Sequence, residues 1–259
     1  MYIIVNIVKN NKLVLISGSG RGLGSAIAKS FVSKNYKVAI NYFQSKKSAE
    51  SLKNKLGNKV KIFQGDISDR VQVEKMMNDI DASFGMMPSV LVNNAMCNYQ
   101  FNGDARKFAD EITWNEISNH LDVTLKGSLN LIQMLIPSMK KNNYGRIINI
   151  GTNLVQNPVV PYHDYTIAKS ALLGLTRTFA KDLGAFGITV NMVSGGLLKV
   201  TDASSATPDE VFSAIAEMTP LKKVTTIDDF SDAVLFFASS QSRSITGQNL
   251  TVDGGLTFN

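Results

Sequence analysis

Seven short runs rich in valine, isoleucine and leucine, separated by stretches of helical length, constrain this 259-residue chain more than any other feature. The runs are Lys12–Ser17, Lys37–Tyr42, Lys59–Gln64, Ser89–Val92, Arg146–Ile150, Thr189–Val193 and Asn249–Val252. Between most of them lie segments with a helical pattern, such as Gly22–Lys34, Ser45–Leu56 and Val71–Phe84. A continuous apolar run, without alternation, is what a parallel strand looks like when helices cover both faces of its sheet. The right-handed crossover rule winds such an order into a doubly wound α/β fold, with a mostly parallel seven-stranded sheet and helices on both faces. No repeat or low-complexity linker divides the chain, so residues 12–259 read as one domain and residues 1–11 as an extension ahead of it.

Composition excludes several classes. Apolar residues make up 44% and charged residues 19%, as in an ordinary globular protein. The single cysteine, Cys97, has no internal partner, which fits a reducing cytoplasm. The apolar start Met1–Val8 is interrupted by Asn6, lacks a basic beginning and runs into Lys9–Lys12, unlike a signal peptide. No segment reaches the roughly 20 apolar residues of a membrane span. The net charge of +6 is dispersed, with only pairs such as Lys46-Lys47, Lys140-Lys141 and Lys222-Lys223 adjacent. No basic stripe interleaved with aromatics points to nucleic acid; an acidic cofactor or an acidic carrier protein fits the charge.

The first run ends in Ser17-Gly18-Ser19-Gly20-Arg21-Gly22-Leu23-Gly24, followed at once by a helical pattern. The spacing is G-x-x-x-G-x-G on Gly18, Gly22 and Gly24. A turn of this kind frees backbone N–H groups at a helix N-terminus for a pyrophosphate, or serves as a Gly-rich turn with no ligand. Enzymes that bind NAD on this architecture place an acid after the second strand, for the ribose hydroxyls. Here Asn41-Tyr42-Phe43-Gln44-Ser45-Lys46-Lys47 carries none. A cation would pair with a 2′-phosphate, and Arg21, Lys46 or Lys47 is placed to supply it, so NADP(H) is the expected cofactor. Asp66, after the third run, is positioned to cap the next helix or to hydrogen-bond an adenine.

The ordered set of this loop, Asn93-Asn94-Ala95, Tyr165-Thr-Ile-Ala-Lys169, Asn191 and Ile245–Gly255 resembles the short-chain dehydrogenase/reductase family, from about residue 12 onward. The 3-oxoacyl-(acyl-carrier-protein) reductase-like branch is the one it most looks like. The resemblance implies a Rossmann-type domain and a cofactor site on Gly18, Ser19, Arg21, Gly22, Leu23, Gly24, Tyr42, Asp66, Ile67, Asn93, Asn94, Ala95, Tyr165, Lys169 and Gly196. Among catalytic residues it implies Tyr165 as proton donor to a carbonyl that takes a hydride from NADPH, and Lys169 holding the nicotinamide ribose. Tyrosine has an ordinary pKa near 10, and Lys169, one helical turn on, is expected to lower it.

Thr152 stands where the family has a serine and keeps the hydroxyl donor. Its methyl stiffens the side chain, so slower or more selective catalysis is expected. Thr124 stands where the family has an asparagine associated with a helix kink and a proton-relaying water. Met96 replaces a glycine, and Gly195-Gly196 replaces Pro-Gly, which is expected to loosen that loop. The family's threonine is displaced, leaving Val200 at its position and Thr201 next door.

Residues Cys97–Asp110 and Leu197–Met218 are the segments expected to line a substrate cleft, made apolar by Tyr99, Phe101, Leu197, Leu198, Val211 and Phe212. His163 is positioned to face it, and His120 reads as packing or surface; two histidines without ligand spacing do not suggest a metal. Carrier-docking arginines of the branch fall at Asn143 and Phe186, with Lys140, Lys141 or Lys181 as substitutes. With those arginines absent, the expected substrate is a 3-oxoacyl thioester, on acyl carrier protein or coenzyme A, or a small ketone or diketone. The resemblance implies a homotetramer using the segments Ile112–Met139 and Tyr165–Ala185 and the last strand. The competing functions are an NADP-dependent alcohol or sugar dehydrogenase and a catalytically weak NADPH-binding sensor or scaffold.

Overall fold

The computed structural model describes residues 12–97, 99, 101, 106–199, 201, 204, 205 and 207–258. The extension at residues 1–11 and Val200 lie outside the described residues. The elements are β1 (Leu13–Ile16), α1 (Gly22–Ser33), β2 (Lys37–Tyr42), α2 (Lys46–Leu56), β3 (Val60–Gln64), α3 (Arg70–Phe84) and β4 (Val90–Asn93). They continue with α4 (Trp114–Leu121), α5 (Gly127–Lys141), β5 (Gly145–Thr152), α6 (His163–Leu183), β6 (Ile188–Gly195), α7 (Asp209–Met218), α8 (Ile227–Ala238) and β7 (Asn249–Val252).

The seven strands form one sheet in the order β3-β2-β1-β4-β5-β6-β7. Every pairing is parallel. Alternate residues of β1 enter different cores, as strand geometry requires. Val14 and Ile16 pack with Ile27 and Phe31 of α1, Leu52 of α2 and Phe230, Val234 and Phe237 of α8. Leu13 and Leu15 pack with Met76 and Ile80 of α3, Leu131 and Leu135 of α5 and Leu183 of α6. The central strands β1 and β4 are thus buried along their whole length, which is why they show no alternation in the sequence.

The chain order reverses between β1 and β4, and their carboxyl ends open the crevice where doubly wound folds take ligands. Between α4 and α5 the backbone widens into a π-helical stretch, Asp122–Lys126, with Thr124 at its centre. It falls where the resemblance implied a kink, and such stretches recur at functional sites.

Candidate active site

The Gly-rich turn is tied down from three sides. Asn41, at the end of β2, accepts from the Gly18 N–H at 3.1 Å and donates to the Gly65 carbonyl at 3.0 Å. Asn94 donates from Nδ2 to the carbonyls of Ser17 and Gly18, at 2.9 and 3.1 Å. Ser17 Oγ accepts the N–H groups of Asn94 and Ala95, each at 3.0 Å. Gly18 (φ +60°) has no room for a side chain, because a Cβ would stand 2.8 Å from Ala95 Cα. At Gly24 it would stand 2.6 Å from Asn94 Nδ2. These two glycines are therefore demanded by the protein's own close packing, beyond any ligand's approach.

What the turn offers a ligand is backbone. Arg21, exposed at the N-cap of α1, makes no side-chain cap, and the first turn carries no acid. The N–H groups there fit a pyrophosphate held at a helix N-terminus. Other expected cofactor residues sit along the same edge with their side chains committed elsewhere. Ser19 Oγ donates to the Ile16 carbonyl at 2.7 Å, and Tyr42 is buried in the core beside Leu23. Asp66 accepts from Ser68, while Asp69 caps α3 through Val71 and Gln72; the capping role considered for Asp66 belongs to Asp69. Ile67 packs where a Gly127 side chain would stand, and its carbonyl accepts from Asn130. Asn93 Nδ2 reaches Asn149 Oδ1 at 2.8 Å, which continues to Thr176.

Across the crevice, the end of β5 and the first turns of α6 bring Thr152, Tyr165 and Lys169 together. The Thr152 side chain stands close enough to the Tyr165 phenol to draw its pKa down. Lys169 Nζ lies 5.6 Å from the Tyr165 ring centre and donates to the Ile150 carbonyl at 2.6 Å. All three are buried. Burial pushes the phenol up to about 12, and Thr152 draws it back only in part. Burial also pulls the Lys169 ammonium down to about 8. The expected lowering of the tyrosine by the lysine does not appear: burial sets the direction of the shift, and Lys169 is not among its causes.

Other expectations are corrected. Gly195 does not loosen a loop; it ends β6 in register with Val252, and Phe230 fills the space a side chain would need. Gly196 abuts Asn153 and Asp253. Asn153 donates to Asp253 at 3.0 Å, and Asp253 also gathers the N–H groups of Gly255, Leu256 and Thr257. Thr124 is buried with its hydroxyl unpartnered, while its carbonyl accepts from Ser128 Oγ at 2.6 Å. His163 faces away from Tyr165, as two residues along a helix must. It lines a separate surface hollow of about 430 Å³ with Thr166 and Ile167. Leu198 belongs to the core and Val211 is exposed, whereas Tyr99 and Phe101 do reach Tyr165. Phe212 is buried, with the Lys199 ammonium over its ring.

A set of residues around Asp164 went unread in the sequence. Asp164 is buried and pairs with Arg106 at 2.9 Å. It also accepts from Tyr99 OH at 3.2 Å and from the Tyr165 N–H at 3.0 Å. His120 is not at the surface; its Nε2 lies 2.9 Å from Cys97 Sγ and 3.5 Å from Asp164. Burial lowers its pKa, against the pull of Asp164, and raises that of the Cys97 thiol to about 11.

Comparison with known proteins decides the lineage. Residues 18–257 match the family model described as enoyl-(acyl carrier protein) reductase. The 3-oxoacyl-(acyl-carrier-protein) reductase FabG of Staphylococcus epidermidis is 34% identical over 95% of this chain and 99% of its own. The chain belongs to the short-chain dehydrogenase/reductase family. The corresponding FabG of Haemophilus influenzae is also 34% identical, over 95% of this chain and 98% of its own. A 3-ketoacyl-(acyl-carrier-protein) reductase of Brucella melitensis, solved with NADH, superimposes with a TM-score of 0.84 at 26% identity, covering 95% of this chain and 98% of that one. This short-chain dehydrogenase/reductase is therefore an oxidoreductase of a family that uses nicotinamide cofactors. Among its described residues no helix is long and apolar enough to cross a membrane.

Proposed function

We propose that this short-chain reductase uses NADPH to reduce a carbonyl to an alcohol, the substrate being a 3-oxoacyl thioester or a small ketone. The observation that carries the reading is the burial of Thr152, Tyr165 and Lys169 together, with Lys169 Nζ 5.6 Å from the Tyr165 ring centre. Tyr165 is protonated at neutral pH, as donation to a carbonyl oxygen requires, and the curated relatives are named as reductases. That favours reduction over the alcohol or sugar dehydrogenase. A bound reduced nicotinamide supplies the hydride. Thr152 and Tyr165 present hydroxyl donors to the carbonyl oxygen, where negative charge develops, and Tyr165 passes it a proton. Lys169 Nζ is the cation at the base of this pair, and would also hold the nicotinamide ribose.

The preference for NADPH rests on Arg21 at the loop and on the absence of an acid between Asn41 and Lys47. Arg21 in the loop and Lys46 and Lys47 at the start of α2 are the cations proposed to meet the 2′-phosphate; Lys46 also pairs with Glu50, at 4.0 Å on the surface. NADH is the competitor, since the Brucella relative was solved with it. Names of the curated relatives support a thioester on acyl carrier protein. Here Lys140 Nζ lies 4.1 Å above the Phe186 ring, bringing a cation back to one of the two positions where the branch has docking arginines. A soluble homotetramer in the cytoplasm completes the reading.

Titration of both cofactors, followed by their fluorescence, tests the first half: NADPH binding at least about tenfold more tightly is expected, and equal affinities defeat it. Oxidation of NADPH by acetoacetyl-CoA tests the second. It should fall by about 10²–10⁴ in Tyr165→Phe with cofactor binding retained. Tight binding without turnover on any carbonyl favours the sensor, a reading to which the buried position of Tyr165 lends some support.

A further inference from the structure

Tyr165 does not open onto a roomy cleft. Its ring lies nearly parallel to that of Tyr99, with centres 5.5 Å apart and planes at 20°, and Phe101 meets its edge at 5.4 Å. Tyr162 closes the group, 5.6 Å from Tyr99 and 5.4 Å from Phe101. The rings form a small cluster apart from the two main cores. Tyr99 and Phe101 come from the segment after β4.

The Arg106–Asp164 pair holds them. The guanidinium sits 4.2 Å above the Tyr99 ring, and its Nη2 reaches both Asp164 oxygens, at 3.2 and 2.9 Å. The same carboxylate accepts the Tyr99 hydroxyl and the N–H of Tyr165 itself. One buried group thus grips the wall and the catalytic helix together. Loss of Arg106 leaves the buried Asp164 carboxylate without its ion-pair partner, a cost that opposes release of the wall.

We infer that Arg106 and Asp164 set substrate size, by fixing Tyr99 and Phe101 so close to Tyr165 that only a carbonyl with a short alkyl arm is reduced well. The inference rests on the carbonyl-reductase reading and deepens it. A 3-oxoacyl thioester carries two arms on its reacting carbon. With the oxygen between Thr152 and Tyr165, the wall limits the alkyl arm and spares the thioester arm, which leaves toward solvent. Both residues act through the rings and are positioning residues.

The test compares 3-oxobutanoyl-CoA with 3-oxooctanoyl-CoA in the full-length protein with NADPH. The wild type should favour the shorter substrate, and in Arg106→Leu the ratio of kcat/KM, long to short, should rise about tenfold, through KM of the long substrate. A second readout needs no substrate. Cys97 is the chain's sole cysteine and packs against His120 beside Tyr99. Its modification by dithiobisnitrobenzoate should quicken about tenfold in Arg106→Leu, as the wall loosens. An unchanged ratio, or an unchanged Cys97 rate, overturns the proposal. If the wild type reduces neither thioester, the thioester reading fails by itself, and the Cys97 rate decides alone whether the ion pair holds the wall. If Arg106→Leu does not fold, Phe101→Ala, which trims the wall and leaves the pair intact, must raise the same ratio.

Discussion

Lys169 is buried as completely as a leucine, and its charge is both a cost and a tool. The folded protein holds it near 8, whereas unfolding returns it to its ordinary value of 10.5. Between those pH values the unfolded chain carries a proton that the folded chain has released, so this group's contribution to stability rises with pH across that interval. Below about 8 the full cost of burying the ammonium is present. Lys169→Met should therefore raise the unfolding free energy by about 1–3 kcal/mol at pH 7. The gain should shrink as pH climbs from 8 toward 10.5, and denaturant unfolding at pH 7 and 9.5 measures it. Activity should move the other way: carbonyl reduction in the wild type should be level below about pH 8 and decline above, because the cation is lost while Tyr165 keeps its proton. A decline beginning only near pH 12 would assign the profile to the tyrosine instead.

Among the elements, the β1–α1 turn shows what a motif does and does not reveal. Its glycine spacing was legible in the sequence, and so was its place between strand and helix. The reason for two of the glycines was not, because Ala95 and Asn94 approach from far along the chain, after β4. Gly18→Ala adds strain at a positive φ to a collision with Ala95 and should cost about 2–4 kcal/mol. It should also weaken cofactor binding, and chemical denaturation beside a fluorescence titration separates the two effects. Wild-type stability in that variant would mean that the turn relaxes freely. The strands were readable as short runs rich in branched apolar residues, continuous where the strand is central and buried. Asp164, Arg106 and His120 were not, since an isolated acid, arginine or histidine carries no period, and the partners of Asp164 lie up to 65 residues distant. Thr124 was recognised only through the family's pattern; the widened helix around it has no composition of its own.

For the whole molecule, the surface carries apolar side chains that a monomer gains nothing by exposing. Leu250 on β7, Phe236 on α8 and Phe258 near the C-terminus stand 39%, 36% and 81% exposed. β7 is also the outermost strand of the sheet, an edge that soluble proteins usually cover. These observations support the tetramer, and light scattering should return four times the 28.2 kDa chain mass. Leu250→Glu should lower that mass, and a monomeric wild type would remove the assembly from the reading.

The bond between Asn153 and Asp253 spans 100 residues. It fastens the end of β5, next to Thr152, to a turn made by the last residues of the chain. During synthesis the polypeptide emerges from its N-terminus, so the Gly-rich turn can be complete while the C-terminal turn has yet to appear. The end of β5 beside Thr152 would then be fastened later than the turn, and the order in which the two sides of the crevice set would follow the order of the chain.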